Sequence, residues 1–155
     1  MRLVKGFMTT VADLYIAYQS KLIYSCLENF NVMDVMGGYA GGQYAKDDKL
    51  WWATSIDFLY RNLKSGLIEV DTSPGDFCYE SIGNLCRYYM DAGPNQNDLA
   101  AYIYFCASDV LDGLVSKYAM KDWQYVNSRV NRDFMSEVEK IYVRSDVGFD
   151  RPLLF

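Results

Sequence analysis

A chain of 155 residues with 51% hydrophobic and 16% aromatic side chains has the apolar surface to bury a continuous core, and its length suits a single domain over 1–155. Twenty acids against fifteen bases give a net charge of −5, which argues against an autonomous nucleic-acid binder; it fits either plain solubility or a basic protein partner. The absence of histidine excludes Ser-His-Asp and Cys-His catalysis and His-ligated zinc.

Cys26, Cys78, Cys86 and Cys106 are too widely spaced for a zinc ribbon and form no CxxC pair. Each sits among apolar residues at helical spacing, so they read as reduced, buried thiols in a reducing compartment, although spacing does not exclude a disulfide. Lys5, Asp13 and Thr9–Thr10 interrupt every apolar run at the N-terminus, so no signal-peptide core is expected. No run approaches the roughly 18 apolar residues of a membrane span. A cytoplasmic location without membrane contact is the expectation.

The first helix is expected to start at Thr10, with Asp13 completing a capping box. Val11, Tyr15, Tyr18, Leu22 and Cys26 make one apolar face, and Ile16, Ile23, Leu27 and Phe30 a second, which predicts a central helix. The glycines within 37–46 read as a flexible connector, with a functional lid as the alternative. A P-loop does not fit, because Gln43-Tyr44 follows where Lys-Ser/Thr is needed. The next helix is predicted over Asp47–Ser65, with Trp52, Ile56, Leu59 and Leu63 inward and Asp57–Arg61 as an exposed i,i+4 pair. Gly66 ends it, Leu67 folds back on its last turn, and 67–70 is a short extended element.

Ser73-Pro74-Gly75-Asp76 reads as a helix start, with Cys78, Ile82, Leu85 and Tyr89 buried and Ala92-Gly93-Pro94 as the stop. A further helix opens at Asn97 or Asp98, with Leu99, Ile103, Cys106, Val110 and Leu114 as its core stripe. The last helix is predicted over Asp122–Arg144, with Val126, Val130, Phe134, Val138 and Ile141 inward. The tail Ser145–Phe155 ends on apolar residues and should dock either on the bundle or on a partner. The predicted fold is mostly α, a bundle of about five helices with one short extended element.

About 100° round the fourth predicted helix from its core stripe runs the line Asp98, Tyr102, Phe105, Asp109 and Asp112. Aromatics concentrate interface energy and acidic rims steer basic partners. This line, with Asp146 and Asp150 of the tail, is the candidate partner-binding surface. The competing reading has Tyr102 and Phe105 packed on a neighbouring helix and the acids solvated. Asp109 and Asp112 would be catalytic only in a concave site with divergent pKa values; a solvated face is the simpler reading. Asp133, Glu137 and Glu139 alternate with Arg129, Arg132 and Lys140, as ordinary surface pairs do. Of the Trp51–Trp52 pair, Trp52 belongs to the core stripe and Trp51 is left as a stacking candidate. No catalytic residue, metal site or cofactor is assigned.

Trp52, Asp57, Phe58, Leu59, Leu63, Gly66, Leu67 and Ile68, within Trp51–Val70, form an aromatic–Asp-Phe-Leu–Leu-x-x-Gly-x-Ile pattern. It resembles small immunity proteins of bacterial contact-dependent growth inhibition and other polymorphic-toxin systems. The resemblance covers roughly 20 residues, the length of one helix and its exit, and it implies a non-enzymatic cytoplasmic inhibitor that binds a cognate toxin domain, such as a basic nuclease, without a cofactor. The alternative is a helical adaptor or regulator of a phage or mobile element acting on host machinery.

Overall fold

In the computed structural model, which describes residues 11–35, 48–94 and 97–151, five α-helices accompany a small antiparallel sheet. The predicted mostly-α class with a short extended element is the observed one. The Thr10 cap, the 37–46 loop and the apolar end at 152–155 lie outside the described residues.

α1 (Val11–Ser25) is central, as its two apolar faces require: Leu14, Tyr18, Leu22 and Ile23 are buried. Gln19, Ser20 and Ser25 of the same helix are buried too. Gln19 donates to the Arg129 carbonyl and accepts from the Asn131 amide, and Ser20 accepts from the Asn127 amide. Two side chains of one helix thus satisfy backbone groups of a loop more than 100 residues away in sequence, where unpaired groups would be costly.

α2 (Asp48–Ser65) buries Trp52, Ile56 and Leu59, as its periodicity demands. Gly66 adopts φ +72°; its amide donates to Leu63 and that of Leu67 to Asn62, closing a Schellman turn that puts Leu67 in the core. The chain then enters β2 (Ile68–Thr72), an edge of a sheet ordered β1-β3-β2 with β1 (Phe30–Asn31) and β3 (Tyr104–Ala107). Phe30 and Val70 both face Phe105 across β3, and Ile68 faces Ala107. Period-2 alternation sends these side chains inward and leaves Glu69, Tyr104 and Cys106 on the outer side.

Three helix boundaries differ from expectation. Ser73–Asp76 makes a turn closed by the Phe77 amide on the Pro74 carbonyl, and α3 (Ile82–Ala92) starts later, capped by Ser81 on the Asn84 amide. The later start lines up Leu85, Cys86 and Tyr89 against α2, where the Trp52 indole donates to the Tyr89 carbonyl at 2.7 Å. The helix predicted from 98 is broken into a 3-10 turn (Leu99–Tyr102), then β3, then α4 (Asp109–Lys117). The cause is tertiary. Tyr104–Ala107 is β-competent and finds two strands to pair with, and the Ser108 hydroxyl and amide bond to the Gly66 and Leu67 carbonyls while its Oγ caps α4. Likewise Asp122 caps only a 3-10 turn (Trp123–Tyr125), and α5 (Arg132–Arg144) begins after Asn127, at φ +63°, with Asn131 as its cap.

The Asp57–Arg61 pair is not on an exposed face. Arg61 is 3% exposed. Its guanidinium grips Asp57 at 2.9 and 3.2 Å, and donates to the carbonyls of Val147, Gly148 (2.6 Å) and Arg151 (3.3 Å). The Tyr18 hydroxyl closes on Asp57 at 2.5 Å, and the Tyr142 hydroxyl on Asn62 at 2.8 Å. Phe149 lies edge-on to Tyr18 and Tyr142 beneath the Arg61 cation. The described part of the tail, 145–151, is therefore strapped to the protein's own body through α2.

Candidate functional site

Charge along this chain is unevenly placed. Residues 68–104 contain six acids and one base, Arg87, whereas the rest of the chain carries fourteen of each. The whole net charge thus belongs to β2, the loop after it, α3 and the 3-10 turn. The same stretch holds six of the nine large hydrophobic side chains exposed among the described residues: Tyr79, Tyr88, Met90, Leu99, Tyr102 and Tyr104. Its acids also make no ion pair among the described residues. The ion pairs among the described residues all lie elsewhere, at Arg61–Asp57, Lys117–Glu137, Lys121–Asp112 and Arg151–Asp146.

Two surfaces carry these residues. On the outer side of the sheet, Tyr104 lies opposite Thr72, and Cys106 lies opposite Glu69. Burial first, then the nearby Glu69 and Asp71 carboxylates, push the Cys106 thiol pKa up. Asn29 donates to Asp71 at 2.8 Å and holds that side chain across the sheet. Beyond the sheet, the Phe77 ring is edge-on to Tyr88 at 5.2 Å and tilted against Tyr79 at 6.3 Å. The Tyr88 hydroxyl donates to both Asp98 oxygens, at 2.8 and 2.9 Å, and that hydrogen bond is the main cause of its raised pKa. Tyr89, buried beneath, donates to the Ala100 carbonyl at 2.7 Å and joins α3 to the turn. Leu99 and Tyr102 project from that turn, Tyr102 at 52% exposure.

The residues proposed from sequence separate into different environments. Asp98 and Tyr102 lie on the acidic–aromatic face. Phe105 does not: it is fully buried in the sheet, where strand alternation turns it inward. Asp109 and Asp112 sit in the first turn of α4, where carboxylates complement the helix dipole, and Asp112 pairs with Lys121 at 2.6 Å. Asp146, at φ +63°, pairs with Arg151 in the strap, and Asp150 is exposed there. The line from Asp98 to Asp112 is therefore not one helical face, because a strand intervenes.

Other expectations are corrected by burial. Trp51 is 2% exposed, with its ring 5.6 Å from Trp52, so it offers no stacking platform. Cys78 is exposed rather than buried, since α3 begins after it. Glu137 bonds Lys117 and the Tyr118 hydroxyl, and Glu139 accepts from Tyr15 of α1, so this acidic group is only partly ordinary surface pairing.

Reading the sequence helix by helix missed Tyr79, Tyr88, Leu99 and Tyr104 as binding candidates. The signal that could have found them is a running count of charge. Among the described residues, no three His, Cys, Asp or Glu side chains group as a metal site requires, and no helix is long and apolar enough to cross a membrane. Comparison with protein-family models, with curated proteins and with solved structures finds no match.

Proposed function

We propose that this protein is an immunity protein, which neutralises a cognate toxin domain by direct association through the face built from residues 68–104. The observation that carries the reading is a coincidence on that one stretch: all the net charge and, among the described residues, most of the exposed large hydrophobics and no ion pair. Exposed tyrosines supply contact area at low entropy cost, and unpaired carboxylates steer a basic partner. A basic nuclease domain, whose own substrate is a polyanion, fits that chemistry. The resemblance of Trp51–Val70 to immunity proteins supports that biological role, and the exposed tyrosines and acids support binding through this face.

The test is co-expression with the C-terminal domain of the toxin encoded beside it, scored as growth rescue. The unaltered chain should restore growth. A Glu80→Lys/Asp91→Lys variant, with unchanged circular dichroism, should protect poorly, and association should slow as salt rises. Full protection by the charge-reversed variant would reject the face. No rescue by a folded wild-type chain would reject the immunity role and favour the adaptor reading, in which the same face meets a host protein.

A further inference from the structure

The acidic–aromatic face contains one place where orientation, charge and ring surface are already arranged together. Tyr88 is 40% exposed on α3. Its hydroxyl is spent on Asp98, so the phenol leaves its ring, not its oxygen, facing outward for contact. The Phe77 ring meets it edge-on, at an interplanar angle of 70°, and fixes its tilt. Asp98 is fixed as well, because the Ala100 amide donates to its Oδ1 at 3.1 Å. A half-buried carboxylate held from two sides, with Oδ2 still able to accept and no ion pair among the described residues, has already lost the orientational entropy that binding would otherwise cost.

Arg87, the base next to this place in sequence, does not fill it. Its guanidinium bonds the Asn84 side chain at 3.0 Å, one turn back on α3. A second copy of the chain would bring the same unpaired acids against these and is disfavoured by charge.

We infer that the Tyr88–Asp98 pair is the anchor of the face and receives an arginine side chain of the partner protein. The guanidinium would stack on the Tyr88 ring while one of its N–H groups pairs with Oδ2 of Asp98, the oxygen that the Ala100 amide leaves open, and Leu99 would cover the aliphatic stem. Arginine fits better than lysine because a planar, weakly hydrated cation satisfies ring and carboxylate together, whereas an ammonium is a hydrated point charge. The inference rests on the binding reading above for which protein carries the arginine, but the anchor is testable without it.

The experiment titrates the full chain with octa-arginine and octa-lysine peptides, by calorimetry and by the tyrosine ring signals in NMR. Octa-arginine should bind more tightly and shift the Tyr88 ring resonances. Asp98→Asn keeps a side-chain cap for the 3-10 turn but removes the charge, and should weaken octa-arginine by about tenfold. Tyr88→Leu should weaken it comparably, with thermal melts confirming that both variants fold, while Asp109→Asn should change little. Equal binding of the two peptides, or equal loss in Asp98→Asn and Asp109→Asn, would overturn the anchor and leave diffuse charge as the cause. Arginine selectivity at Tyr88 in a chain that fails to rescue growth would uphold the anchor and reject the immunity role.

Discussion

Replacing Arg61 by methionine probes the least exposed charge in the described structure, and the structure sets the size of the effect. Methionine keeps the apolar stem but removes a guanidinium that makes two bonds to Asp57 and three to the carbonyls of Val147, Gly148 and Arg151. Removing one partner of a buried pair costs about 3–5 kcal/mol, mostly because the other charge stays buried alone. Here the Asp57 side chain retains 23% exposure and a 2.5 Å bond from Tyr18, which moves the figure to the lower end. The strap carbonyls lie near exposed Asp150 and Arg151 and can turn to water once released. The expected loss is therefore about 3 kcal/mol. Urea unfolding should read it, with amide exchange at 147–151 rising well above that of α2. The double variant Arg61→Met/Asp57→Asn should recover more than about 1 kcal/mol, because no lone carboxylate remains and the amide oxygen still accepts from Tyr18. A loss below about 1 kcal/mol in the single variant, with exchange at 147–151 unchanged, would refute the clamp.

Three further outcomes are expected. Gly66→Ala meets no atom within 4 Å, so its cost is that of an L-residue at φ +72°, about 1–2 kcal/mol; a neutral thermal melt would contradict the Schellman geometry. Gln19→Ala should lose about 2 kcal/mol in denaturant titration, since it orphans the Arg129 carbonyl and the Asn131 amide together, and a surface-like value would mean that water replaces it. Burial pushes the Cys86 thiol from its ordinary 9.0 up to about 12. Folding then favours the protonated thiol; its contribution is intact below pH 9 and is lost as pH climbs towards 12. Cys86→Ala should flatten that alkaline loss, and native maleimide labelling should take exposed Cys78 well before Cys86.

Periodicity within a helix was legible where packing followed it. Tyr18, Leu22 and Ile23 make α1 central, and Trp52, Ile56 and Leu59 line α2, because a 3.6-residue repeat already encodes one buried side. The same repeat misled at Leu99, Ile103, Cys106, Val110 and Leu114, of which Leu99 and Val110 are exposed. A short apolar run suits a strand as well as a helix, and only the presence of β1 and β2 decides between them. Ser73-Pro74 shows the same limit from the other side: a cap and a proline begin either a helix or a turn, and Ser81 took the cap because α3 must meet α2 in register.

What the sequence determined by itself is therefore local or additive: the mostly-α class, the glycine stop at Gly66 and a net charge confined to residues 68–104. These depend on nearest neighbours, backbone sterics or simple counting. What only the tertiary structure decided is every relation between distant residues. It placed Phe105 inward and Tyr102 outward, buried Arg61 under a strap some 86 residues downstream, and set Asp98 beneath the hydroxyl of Tyr88. Such pairings repay a chain-closure entropy that grows only slowly with loop length, so sequence separation does not indicate which of them form.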